Sequence, residues 1–303
     1  MVNPESTRTT APPTALALVV VAVAVLAVSH GAIFARLAAA PALAIAAWRL
    51  TFATAALALI LPWHWRSLRA TMNRRVALIC IGASACLALH FATWIASLQY
   101  TSVSNSVILV NTSPIWVALF GRLTGSVRLT PKTLGAIALA VAGAAIIGLV
   151  GHTGGHGNGG ASGSMRGDLL ALAGGAAMGA YLLFARVARL QLPLVPYIFC
   201  CYSAAAIVLW GMAIGASTQM SGFSQSTWFA LVGIAVVPQL LGHSSYNWSL
   251  RFLHPSTVSI TLLGEGVVGS ALAFIYFGEA VPAATWFGGP LVLAAIWIAT
   301  SEE

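Results

Sequence analysis

Residues 152–164 read HTGGHGNGGASGS. Glycine, serine and asparagine at this density make a flexible, hydrated tether rather than a packed element. The tether stands at the middle of a 303-residue chain, and both flanks are strongly apolar. His152 and His156 lie within it, but a glycine-rich coil preorganises no ligand geometry, so no metal is expected there.

Working outward, five apolar segments precede the tether and five follow it. The first set runs 14–36, 41–61, 76–99, 102–121 and 131–150. The second runs 168–190, 193–216, 226–250, 255–278 and 282–300. Each approaches the length of about 20 residues that a helix needs to cross a bilayer. Pro41, Pro62, Pro131, Pro193, Pro255 and Pro282 stand at or near their ends, where proline is tolerated. The run from Thr14 to Phe34 is too long for a signal-peptide core and is read as a retained first helix.

Composition agrees. Hydrophobic residues make up 59% of the chain and charged residues 7%, against roughly 25% charged in soluble domains. A globule cannot hide so much apolar surface from water, so lipid must solvate most of it. The predicted fold class is all-α integral membrane, with ten transmembrane helices. The predicted layout is a tail over 1–13, a first unit over 14–150, a linker over 151–166 and a second unit over 167–303.

The net charge of +8 would suit nucleic acid, but the positive residues sit in short loops between apolar runs, so no nucleic-acid partner is expected. With the N-terminus inside, Arg8, Arg66, Arg69, Arg74, Arg75, Arg122, Arg128, Lys132, Arg186, Arg189 and Arg251 face the cytoplasm. Only Arg36 and Arg166 lie outside, and Arg49 falls within helix two. That asymmetry predicts cytoplasmic termini, an external linker and a multi-pass protein of the inner (plasma) membrane. Cys80, Cys86, Cys200 and Cys201 lie inside apolar runs without metal-ligand spacing and read as buried free thiols.

The two units repeat each other. Phe34-Ala35-Arg36 recurs as Phe184-Ala185-Arg186, 150 residues on. Pro41 and Pro193, Ser97-Leu98 and Ser249-Leu250, Ser104 and Ser256, and Ile108 and Ile260 match at an offset of 152. Five helices is an odd number, so the second copy enters the membrane from the opposite side. The two five-helix repeats are therefore predicted to be inverted, as in many secondary transporters.

Two stretches carry a family resemblance. His90–Phe120 reads HFATWIASLQYTSVSNSVILVNTSPIWVALF, and Tyr246–Glu279 reads YNWSLRFLHPSTVSITLLGEGVVGSALAFIYFGE. They resemble the drug/metabolite transporter superfamily, EamA type, nearest to the YddG-type aromatic amino acid exporters. In that family a proline often follows the helix-nine glutamate, whereas Gly266 follows Glu265 here, so local helix geometry is expected to differ at that point. The resemblance implies a central cavity lined by helices one, three, four, six, eight and nine, and alternating access between the halves.

Polar groups in a membrane span are costly unless they face protein or water, which makes them functional candidates. Gln239, His243 and Tyr246 on helix eight are spaced to share a face, next to a kink expected at Pro238. They either face substrate or bond to neighbouring helices. His90 and Trp94 lie one turn apart on helix three, and Asn111 precedes Pro114 on helix four. Rings beside hydrogen-bonding tips suit a flat amphipathic ligand, while Trp94 could equally belong to an interfacial belt. On helix nine Thr257, Thr261 and Glu265 recur every fourth residue. Glu265 could relay a proton, hold a ligand amine or bond a neighbouring helix as a neutral acid. Ser29, His30 and Tyr181 are candidates at matching positions of helices one and six, with simple packing as the alternative. Arg49 reads as structural, pairing with a carbonyl or carboxylate, with substrate contact as the alternative.

The expected activity is export of amino acids, aromatic or other large neutral ones favoured, and of related small metabolites. Drugs or purines are the alternative cargo. An intramembrane enzyme or a sensor is less favoured, since no nucleophile–base constellation, HExxH or Walker motif occurs and no soluble output domain is present. No cofactor is expected. The expected partners are a small-molecule substrate, membrane lipid and, through Glu265, protons. Glycine pairs at Gly175/Gly179 and Gly211/Gly215 permit close helix approach without specifying an oligomer.

Overall fold

The structure is a computed structural model that describes residues 14–100, 106, 109–127, 129–151, 165–278 and 283–301. The tail 1–13 with Arg8, the tether 152–164, and Ser104, Ile108, Arg128 and Pro282 fall outside the described residues. In the first half the helices are α1 (Thr14–Leu37), α2 (Ala42–Thr71), α3 (Arg74–Ser97), α4 (Ser113–Leu123) and α5 (Pro131–Gly151). In the second they are α6 (Met165–Arg189), α7 (Leu194–Gly215), α8 (Gln225–Ser249), α9 (Pro255–Phe277) and α10 (Ala283–Thr300). No strand occurs among the described residues.

Seven of these helices are long and apolar enough to span a membrane, and α5 and α10 contain shorter apolar stretches. Leu59, Ile207, Ile214 and Trp297 are exposed, as lipid-facing side chains should be. Helix starts follow the local chemistry. Asn73 caps α3 by accepting from Val76 N at 3.0 Å, and Ser224 caps α8 by accepting from Thr227 N at 3.3 Å. One expected boundary moves. α2 does not end at Pro62 but continues to Thr71, carrying exposed Trp63 and Trp65 with Arg66 and Arg69. A tryptophan- and arginine-rich extension suits the membrane interface, and the loss of one backbone bond at Pro62 does not stop it.

The packing partners map onto themselves when helix n is exchanged for helix n+5. α3 lies along α6 as α1 lies along α8, and α4 contacts α6 as α9 contacts α1. α2 packs on α7, and α5 on α10. This is a two-fold relation between five-helix repeats. With an odd helix number per repeat, its axis lies in the membrane plane, so the repeats are inverted. Single contacts show it as well. The Phe34 ring of α1 sits against Gly233 of α8, and the Phe184 ring of α6 sits against Gly82 of α3, where an added Cβ would meet Phe184 Cε1 at 3.0 Å.

Most of the core is one cluster drawn mainly from α1, α2, α3, α6, α7 and α8, with Val117 of α4 and Val258 and Leu262 of α9. A second, built around Ala136, Ala140, Ile260 and Val292, joins α5, α9 and α10. Gly143 makes that seam possible, since a Cβ there would stand 2.7 Å from Gly288 O. Gly175 and Gly179 serve the same purpose inside the chain. Added Cβ atoms would meet Val110 O at 2.8 Å and Trp116 Cβ at 2.7 Å. Gly211 and Gly215 have nothing within 4 Å.

A candidate substrate cavity between the repeats

Three departures from regular helix shape the middle of the bundle. In α8, residues Ala235–His243 form a π-helix containing Pro238. Proline offers no N–H and crowds the preceding turn, and a wider i→i+5 turn absorbs that conflict. In α9 the helix breaks at Leu263, between Leu262 and Gly264, where the backbone bonds shorten to three residues (Leu263 N to Ile260 O, 3.1 Å; Gly266 N to Leu263 O, 3.2 Å). Before α4 a turn at Asn111–Thr112 does the same, with Thr112 N bonding Leu109 O at 3.2 Å. Asn111 and Leu263 are 152 residues apart, so repeat-related helices break at the same place.

Around these breaks lies a cavity with about 430 Å³ of empty space, the open solvent at its mouth included. Its polar and aromatic lining comes from both repeats: Arg49, His90, Trp94, Asn111 and Ser113 from the first, His243 and Glu265 from the second. Val28, Gly31, Val110, Met178 and Leu262 supply the apolar wall. Phe91, between the two halves, meets His243 edge to face with centroids 5.3 Å apart. These two residues are also separated by the repeat offset of 152, so the pseudo-two-fold passes close to their contact.

The wall is partly preorganised. His90 Nδ1 lies 3.0 Å from Gly174 O. A carbonyl only accepts, so Nδ1 carries the proton. His90 also stacks nearly parallel on Trp94, at 5.9 Å and 10°. Three buried polar atoms of the lining make no hydrogen bond within the protein: Arg49 Nη2, Trp94 Nε1 and His243 Nδ1. Buried polar atoms are usually paired, and these three belong to the wall of the cavity, where a polar ligand could complete them.

Of the ten sequence-predicted site residues, the structure brings His90, Trp94, Asn111, His243 and Glu265 to this cavity. It does not bring the other five. Gln239 is fully buried and accepts from Arg49 Nε at 2.6 Å. Gln239 lies inside the π-helix and His243 at its end, so the four-residue spacing no longer means a shared face. Tyr246 is buried and is not among the residues lining the cavity. Tyr181 donates to Asn247 Oδ1 at 2.8 Å, and Asn247 Nδ2 donates to His243 O at 2.9 Å. These bonds, with Arg189 Nε to Asn247 O at 2.9 Å, tie α6 to the end of α8. Ser29 donates to Val25 O in its own helix at 2.7 Å. His30 is half-buried, with Nδ1 2.8 Å from Leu26 O and its ring edge-on to Tyr276.

Sequence reasoning set Arg49 aside as structural, yet it lines the cavity from α2, a helix outside the set implied by family resemblance. The signal was present: a lone cation inside an apolar span is a functional candidate by default. No cluster of three or more histidine, cysteine or acidic groups suited to a metal occurs among the described residues.

Known proteins bear on this arrangement. The model of the EamA-like transporter family matches twice, over residues 15–149 and 165–301. An uncharacterized transporter of Archaeoglobus fulgidus is 22% identical over 218 residues, covering 71% of this chain and 73% of that protein. A solved crystal structure shares the fold with a TM-score of 0.75 at 19% identity, over 95% of this chain and 97% of the other.

Proposed function

Because the chain belongs to the EamA-like transporter family, we propose that it exports amino acids, aromatic or other large neutral ones favoured, together with related small metabolites. It works by alternating access in the manner of the YddG-type exporters. The observation that carries this reading is one central cavity lined from both inverted repeats, holding stacked rings beside polar groups. An aromatic side chain would stack on Trp94 and His90, with the polar backbone end toward Asn111, His243 and Glu265. Glu265 also offers a route for proton coupling. The distribution of basic residues supports placement in the plasma membrane with both termini in the cytoplasm.

Counterflow in proteoliposomes, with a panel of labelled amino acids, tests the reading. Accumulation of phenylalanine, tryptophan or leucine ahead of alanine and glycine is the expected result. A panel in which no amino acid exchanges, while a purine or a drug does, replaces it.

A further inference from the structure

The cavity contains a cation that the protein itself does not complete. Arg49 is 1% exposed. Its Nε is bonded to Gln239 Oε1, a neutral amide, at 2.6 Å. One face of the guanidinium lies over the Phe91 ring, with Cζ 4.1 Å from the centroid. Nη2 has no hydrogen-bond partner. Glu265 lines the same cavity, yet no hydrogen bond joins its carboxylate to Nη2. The amide and the ring hold the guanidinium from two sides, and Arg49 stands in the cavity wall with its buried Nη2 unpaired. A planar fork held in this way is the group best matched to a carboxylate.

We infer that Arg49 is the carboxylate anchor of the cavity, and that with Glu265 it makes the site select small molecules carrying an anionic group, above all zwitterions with an ammonium beside it. The inference rests on the reading of the chain as an amino acid transporter and deepens it. A buried cation with a donor left unpaired is costly. A ligand carboxylate on Nη2 supplies the missing partner, while a ligand ammonium meets Glu265. A ligand without the carboxylate leaves the guanidinium edge unpaired, and a site built to pair with a group rejects analogues that lack it.

The test uses the purified full chain and four compounds of matched shape: phenylalanine, 3-phenylpropionate, phenylalaninamide and phenethylamine. Binding is read by thermal shift and transport by counterflow. In the parent protein the two carboxylates should bind about tenfold or more tightly than the amide and the amine. Arg49→Gln should remove most of that gap, and Arg49→Lys should restore only part of it. If Arg49→Gln does not fold, the parent's ratio of acid to amide still decides.

Equal affinity for acid and amide in the parent overturns the inference, as does an unchanged ratio in well-folded Arg49→Gln. Arg49-dependent binding of 3-phenylpropionate, without counterflow of phenylalanine, keeps the anchor and removes the amino acid reading. Equal counterflow of phenylalanine and its amide keeps transport and removes the anchor. A parent that none of the four compounds shifts overturns both.

Discussion

Arg49 on α2 and Gln239 in the π-helix of α8 are joined by a 2.6 Å bond from Nε to Oε1. This buried contact crosses between the repeats at the edge of the cavity. It settles how a charge sits inside an apolar bundle, and it gives the π-helix a purpose beyond accommodating Pro238.

Replacing Gln239 should therefore act at a distance. Gln239→Leu leaves a buried guanidinium donor unpaired, at a cost of about 1–3 kcal/mol. The unfolding temperature in detergent should fall. Gln239→Glu should keep stability better, because an ion pair replaces the amide contact. It should also weaken carboxylate ligands by neutralising Arg49. Equal stability of the leucine variant and the parent would show that the bond contributes nothing.

Trp94 tests the stacking surface. Loss of one aromatic partner is worth about 1 kcal/mol, or roughly fivefold in affinity. Trp94→Ala, checked for expression and melting temperature, should reduce transport of aromatic amino acids by that factor and spare alanine or threonine. A uniform loss across large and small substrates would remove the aromatic preference while leaving the cavity.

Glu265 tests proton coupling. Glu265→Gln keeps size and most hydrogen bonding and removes titration. Transport by this variant should lose its pH dependence while folding survives. An unchanged pH profile would return Glu265 to a structural or amine-binding role.

Gly179 and Gly211 give a paired test of packing. A Cβ at Gly179 would stand 2.7 Å from Trp116 Cβ and 3.1 Å from Val117 N. Gly179→Val should thus destabilise by about 1–3 kcal/mol through overpacking. Gly211→Val, with nothing within 4 Å, should be tolerated by the isolated chain. Thermal unfolding of both variants in detergent decides.

Orientation is open to a direct experiment. Single cysteines introduced in the 152–164 tether should react with an impermeant maleimide applied to intact cells. Labelling only after permeabilisation would invert the topology expected from the arginine and lysine distribution.

The repeat was legible because its marks are local. The Phe34 and Phe184 triplets recur at nearly constant offset, and their rings occupy matching glycine-lined seats on α8 and α3. The candidate site was only half legible. His90, Trp94, Asn111, His243 and Glu265 meet at one cavity, while Tyr181 and Ser29 turn to bonds within the bundle. A helix apolar all round carries no polar stripe to say which face looks inward, so candidate positions could be named but not their directions.

By itself, the sequence determined the membrane-spanning class, the ten helices and their division into inverted halves. Segment length, hydropathy and repeat offset are properties of the chain alone, and lipid leaves a backbone few alternatives to helix. Only the tertiary structure decided which polar groups share the cavity. The π-turn in α8 rotated Gln239 onto Arg49, and the breaks at Asn111 and Leu263 opened the space beside Glu265. Those outcomes depend on how ten helices pack at once, and no spacing along one of them contains that information.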